Sequence, residues 1–280
     1  MVSARNPARS YGGKIIDVHT HLQLPGVFPI QTSHGPERHR PADYLRSVRQ
    51  LDVTHVAALV IAPRSDPART RRMNDSVLEL SNTSKGRFFS LCSVHPADGD
   101  AALREVDRVA KAGARGLKLH PNTQNFDVAH ASVKRIVARA ALRHLPVLFD
   151  AYSPFDANQP GKFVQLAMAV PTARLILAHA HGPRFSELLV YEILARYEWW
   201  KRNVWVDLSV IASLLGAGPF ATQFLWVLRK VGFDRLLFGS DYPLDDPRKA
   251  VETVAGMGFT SEELGRVFYE NAKDLFGFRA

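Results

Sequence analysis

The chain alternates between short apolar runs and longer stretches whose apolar residues recur every three or four positions. The runs are KIIDVH (14–19), HVAALVIA (55–62), RFFSLCSV (87–94), ARGLKLH (114–120), PVLFDA (146–151), ARLILAHA (173–180), NVWVDLS (203–209) and RLLFGSD (235–241). Near-continuous apolar runs of this length read as parallel strands buried on both faces. Between them, ARTRRMNDSVLELSNTS (68–84) and DAALREVDRVAKAG (100–113) carry a helical period, the second with Leu103, Val106, Val109 and Ala110 as its stripe and Gly113 as its stop. Helical patterns follow at 41–51, 128–144, 161–170, 185–200 and 219–232, and a closing one at 261–278 has Ser261 placed as its cap. Eight strands alternating with eight helices predict an α/β fold, a single (β/α)8 TIM barrel. A doubly wound open sheet is the alternative, but no glycine-rich phosphate loop follows the first strand.

In a barrel, chemistry gathers at the C-terminal ends of the strands. Side chains at i and i+2 share a strand face, so Asp17, His19 and His21 are expected on one side of the first strand. Two imidazoles at a strand end are a common beginning of a metal site, although His-x-His also arises by chance. The other strand ends carry Lys118 and His120, Asp150 and Tyr152, His179 and His181, Asp207 and Ser209, and Asp241. A lysine in a barrel interior needs a partner or a task, because an unpaired buried ammonium is costly. The co-location of these groups, more than any one of them, points to an active site.

Composition narrows the picture. At 280 residues and 46% hydrophobic, the chain has enough apolar material for a sizeable core. The opening MVSARNPARSYGGK is basic and lacks an apolar segment, so residues 1–13 are expected to be a disordered arm preceding a barrel over 14–280. No window approaches a membrane span. The single cysteine, Cys92, excludes an internal disulfide and fits a reducing, cytoplasmic setting. The net charge of +9 invites nucleic acid, but the basic residues are scattered, with Arg69, Arg71 and Arg72 the one tight internal cluster. Without interleaved aromatics or zinc-finger spacing, the charge points to an acidic small-molecule substrate and not to nucleic acid. A homo-oligomer is left open, since Trp199 and Trp200 suit either packing on the barrel or an interface.

The pieces IIDVHTH, GLKLHP, LILAHAHG, VWVDLS and LLFGSDYP occur in that order over residues 14–243, and EELGRVFYENAKDLF closes the chain. Together they resemble the amidohydrolase superfamily, and within it the amidohydrolase-related group of hydrolases and non-oxidative decarboxylases. The resemblance implies a divalent metal, zinc favoured over manganese, one or two ions per chain, held by His19, His21 and Asp241. His179 matches the group's strand-six histidine. Asp150 stands where a strand-five histidine is expected. It is read either as a carboxylate metal ligand, which would harden the site, or as the mark of a lapsed site. A slipped alignment would put Asp156 in its place.

Lys118, with His120 and Tyr152, is expected to anchor substrate; a bridging carbamate and a structural ion pair are the rival roles of the lysine. His95, His181 and Asp207 are expected to be supporting groups, Asp17 to orient a ligand imidazole, and His34 and His39 to lie at the surface. Loops 23–40 and 152–162 are candidates for covering the site. The expected reaction is hydrolysis of a small anionic amide, lactone or related carbonyl compound by metal-activated water, with Asp241 moving the proton and His179 assisting. The alternatives are a metal-dependent decarboxylase of an aromatic or unsaturated acid, and a non-catalytic ligand-binding barrel with a degenerate metal site.

Overall fold

The computed structural model describes residues 11–27 and 39–279. His34 and nearly all of the expected basic arm lie outside them. The eight apolar runs each form a strand: β1 (Ile15–Asp17), β2 (Val53–Leu59), β3 (Phe88–Ser93), β4 (Gly116–Leu119), β5 (Val147–Asp150), β6 (Leu175–Ala178), β7 (Val204–Asp207) and β8 (Leu236–Leu237). They form one sheet in sequential order, and every pair is parallel. That order excludes the doubly wound alternative, whose strand sequence reverses in the middle.

Closure falls beyond the regular strands. Val18 N donates to Phe238 O at 3.0 Å, Asp241 N to His19 O at 2.7 Å and His21 N to Tyr242 O at 2.7 Å. The backbone that carries His19, His21 and Asp241 is thus the seam of the barrel.

Around the sheet lie α1 (Pro41–Ser47), α2 (Pro67–Thr83), α3 (Asp100–Lys111), α4 (Pro121–Gln124), α5 (Ala131–Leu142), α6 (Gln159–Ala169), α7 (Leu189–Leu194), α8 (Ile211–Leu215), α9 (Ala221–Val231), α10 (Pro247–Gly256), α11 (Ser261–Gly265) and α12 (Asn271–Phe276). Strand alternation divides the core. Val56 and Ala58 of β2 belong to the core shared with Met73 and Val77 of α2, whereas Ala57 and Leu59 join an inner core with Phe89, Leu148 and Ile176. Leu275 and Phe276 of α12 complete that inner core.

Three expectations need correction. The pattern over 185–200 yields only the short helix α7, because a run of 3-10 turns occupies His179–Leu188. Helix α10 was not anticipated, although Asp246, whose carboxylate accepts from Arg248 N and Lys249 N, and Pro247 at the first position are ordinary start signals. The cap of the closing segment is Thr260, which forms a reciprocal capping box with Glu263, and Ser261 is already helical.

Candidate metal centre

The centre is assembled at the seam. His19 Nδ1 donates to Asp207 Oδ2 at 2.7 Å, and both residues are fully buried. With its proton fixed there, His19 presents a bare Nε2 lone pair, the tautomer a metal ligand needs. Burial, reinforced by the nearby Lys118, pushes the imidazole pKa well below its usual value and keeps the ring neutral. Asp207 therefore takes the orienting role expected of Asp17. Asp17 accepts instead from His19 N (3.2 Å), Ser240 N (2.9 Å) and the Tyr44 hydroxyl (2.7 Å), tying β1, the end of β8 and α1 together. The expected alternation fails because regular pairing of β1 stops at Asp17.

Asp241 Oδ1 lies 3.3 Å from His19 Nε2 and 3.1 Å from His21 Nε2. It is buried and forms no hydrogen bond of good geometry with either ring. Burial would raise its pKa, but the imidazoles of His19, His21 and His179 outweigh that and hold its carboxyl well below the usual range. One nitrogen from each imidazole and this carboxylate oxygen lie within 4.8 Å of one another. A cation would satisfy all three atoms at once, and two neutral imidazoles with one carboxylate are an ordinary donor set for zinc or manganese. The residues fit a divalent ion. Asp241 reaches this place in the left-handed region (φ 58°), an uncommon conformation for a non-glycine residue. Gly239 is required beside it: a Cβ there would stand 2.8 Å from the His19 Cβ and collide with the Asp207 carboxylate.

A second cluster adjoins the first. Asp150 Oδ2 lies 3.3 Å from both His120 Nε2 and His179 Nε2. His120 Nδ1 accepts from Thr123 N, so its Nε2 carries the proton toward Asp150. Burial lowers the His120 pKa to about 4 and leaves this ring neutral. His179 differs. Its Nδ1 lies 3.1 Å from the Ser209 carbonyl, so both ring nitrogens face acceptors. Burial alone would lower its pKa, but Asp150, Asp241 and Asp207 outweigh that and raise it to about 9. Burial would likewise raise the Asp150 pKa, yet its two imidazoles and Lys118 hold it low. Asp150 is not one of the three clustered donors; its near oxygen faces two imidazoles.

Lys118 is completely buried on β4, and its Nζ lies 3.1 Å from His19 Nε2. Among the described residues no carboxylate comes within ion-pair distance of it, which leaves the structural ion pair without a partner. Tyr152 stands apart from the donors. Its ring packs where a Gly182 Cβ would fall, and its carbonyl accepts from Asn122. Asp156 pairs with Lys162 at 2.8 Å, which removes the slipped alternative. His39 is buried edge-on to Tyr242 and not at the surface. His181 turns its Nδ1 to the Ala151 carbonyl at 2.9 Å. His95 is a core group that bonds Ala97 N and Gln124 O.

Sequence reasoning missed Gln124. Its amide donates to Ala62 O and Val94 O and accepts from His120 N, fastening the ends of β2, β3 and β4.

An eight-stranded parallel barrel with imidazoles and carboxylates converging at its strand ends is of the metal-dependent hydrolase type. Residues 16–278 match the family model described as amidohydrolase, and the chain belongs to that family of enzymes. No curated protein matches it. Among solved structures, it is similar to 5-carboxyvanillate decarboxylase from Sphingomonas paucimobilis, with a TM-score of 0.73, 15% identity and coverage of 95% of this chain and 99% of that one. A candidate 2-pyrone-4,6-dicarboxylic acid hydrolase from Pseudomonas putida gives 0.69, 21%, 95% and 98%. A dihydroxybenzoic acid decarboxylase from Polaromonas sp. JS666, with bound manganese and the inhibitor 2-nitroresorcinol, gives 0.73, 17%, 96% and 98%. At these identities the likeness concerns the fold. No helix among the described residues is long and apolar enough to cross a membrane.

Proposed function

We propose that the chain is a hydrolase that cleaves a small anionic amide, lactone or related carbonyl compound, with a divalent cation at His19, His21 and Asp241. The convergence of the three donor atoms on the unbonded Asp241 Oδ1 carries this reading. A Polaromonas relative of the same fold holds manganese; zinc suits the same donors. When bound, the cation supplies Lewis acidity, polarising the substrate carbonyl and making an adjacent water more acidic.

The chain's own residues do the rest. Asp207 keeps His19 in its ligating tautomer. Asp241, held as a carboxylate, takes the proton from the attacking water and returns it to the leaving oxygen or nitrogen. His179, kept as an imidazolium, stabilises the oxygen on which negative charge develops through its positive charge. Asp150 sits against His179 and favours its charged form, and we assign it this task in preference to metal ligation. Lys118 and His120 border the same space and anchor the substrate's polar groups, with Tyr152 on the loop behind them.

The test is isotopic. Purified protein loaded with zinc or manganese is offered a panel of lactones, amides and aromatic acids in ¹⁸O-labelled water. Label in the product supports hydrolysis; carbon dioxide release without label would transfer the site to decarboxylation. Metal content and turnover that survive His19→Ala and Asp241→Ala would remove the centre from the chemistry altogether.

A further inference from the structure

At the opposite end of the barrel from the metal centre lies a cleft of about 330 Å³, large enough for a small molecule or ion. Arg115 enters it just before β4, Arg143 and His144 just before β5, and Arg174 just before β6. The end of α12 closes it. At ~3.3 Å per residue, roughly 16 Å of strand separates Arg115 from His120 at the mouth. Arg115 Nη1 donates to Phe276 O at 3.3 Å, and Arg174 Nη1 to Leu275 O at 2.7 Å. Two guanidinium groups thus converge on adjacent carbonyls of one helix end. Arg174 also donates to His144 O. A guanidinium has five N–H donors, so these bonds leave most of them unspent. Among the described residues no carboxylate comes within ion-pair distance of Arg115 or Arg174. Asp274 lines the cleft beyond that distance, and Arg143 pairs with Asp107 at 2.7 Å. Arg174 is half-buried, and burial presses its pKa down with no acid to offset it. Two like charges held together here, one of them partly out of water, are a cost that an anion removes.

We propose that this cleft is a second ligand site, built for a tetrahedral oxyanion of the phosphate class. The occupant is either the free ion or the terminal phosphate of a small organic ester. Arg115, Arg143 and Arg174 come from three different loops. Donors approaching from several directions suit an anion with an oxygen at every corner, whereas one fork suffices for a planar carboxylate. The anion ties those loops to α12, whose Leu275 and Phe276 complete the inner core. It acts on the floor of the barrel, and the site stands whichever reaction the mouth performs.

Calorimetric titration of the full chain with inorganic phosphate, at a pH where it is a dianion, tests this. Saturable binding is expected, about tenfold or more tighter than that of acetate at matched ionic strength. Arg174→Gln should weaken phosphate about tenfold. Arg115→Gln, at an exposed position where folding is not at risk, should weaken it about fivefold. Lys118→Met, which removes the ammonium at the mouth, should leave phosphate binding unchanged. Glycerol 3-phosphate binding more tightly than phosphate would identify an organic ester as the occupant; equal or weaker binding would identify the free ion. No saturable phosphate binding by the wild type, or equal affinity for acetate, would overturn the proposal. So would wild-type affinity in Arg115→Gln, or a loss of binding in Lys118→Met.

Discussion

At the floor of the barrel, Phe89 packs 4.9 Å from Phe276 between ring centroids, and Arg115 and Arg174 donate to the last carbonyls of α12, Phe276 O and Leu275 O. At the mouth, the buried groups are His19, Lys118, Asp207 and Asp241, and His179, Ala180, His181, Val210 and Asp241 all have positive φ. The floor is built chiefly by burial: apolar rings fill space and the last carbonyls of α12 accept from guanidinium groups. The mouth departs from this, with titratable groups out of water and backbone in a disfavoured region. Stability and chemistry are thus separated along the barrel axis, and substitutions at the two ends should fail in different ways.

The largest effect belongs to the floor. Phe89→Ala removes an inner-core ring and should cost ~3–5 kcal/mol in denaturant unfolding. Metal content per folded molecule should stay at the wild-type level; a proportional loss of metal would mean that the two ends are mechanically coupled. The next is Gly239→Ala at the mouth. Its Cβ must displace the His19–Asp207 pair, so metal affinity, read by competition with a chelating dye, should fall by more than tenfold while unfolding costs ~1–3 kcal/mol. Asp207→Asn is gentler. It preserves shape but weakens the hold on the His19 tautomer, and second-shell losses of this kind run to ~10–100-fold in metal affinity.

Lys118→Met should move affinity the other way. Its ammonium stands 3.1 Å from the lone pair that would bind the cation, while Asp150, Asp241 and Asp207 act on it only from beyond ion-pair distance. Removing that charge should raise metal affinity by about tenfold, equivalent to ~1.4 kcal/mol, and should not lower stability. Weaker metal binding in this variant would mean that Lys118 belongs to the metal site, as the bridging carbamate requires.

The same contrast explains what could be read in advance. Strand identity is local: an apolar run announces β5 or β6 without reference to anything distant, and all eight strands were legible. The motif residues at the strand ends were legible too, because a barrel places those ends together. Partnerships were not. Asp207 reaches His19 across 188 positions, and nothing near either residue marks the pairing. Alternation predicted one face for Asp17 and His19 and failed where the regular strand stops. The consecutive positive φ values of His179, Ala180 and His181 lie equally outside any two-residue period.

A last effect is a pH dependence at the mouth. His181 is buried, and Nδ1–H donation to the Ala151 carbonyl leaves Nε2 without a partner. Burial therefore lowers its pKa from 6.5 to about 4. Such a histidine is neutral in the folded chain and takes up a proton more readily when unfolded. Its contribution to stability is complete above pH 6.5 and is lost as pH falls through the folded value. Between pH 7 and pH 5 the loss should be about 1–2 kcal/mol. Asn is the replacement that isolates this term: its amide can take the place of Nδ1–H toward Ala151 O, it tolerates the φ of 61°, and it does not titrate. Denaturant unfolding of His181→Asn at the two pH values should show a shallower decline than the wild type by that amount. Parallel curves would assign the mouth's acid sensitivity to its other imidazoles and leave His181 as a filler whose missing bond has no cost.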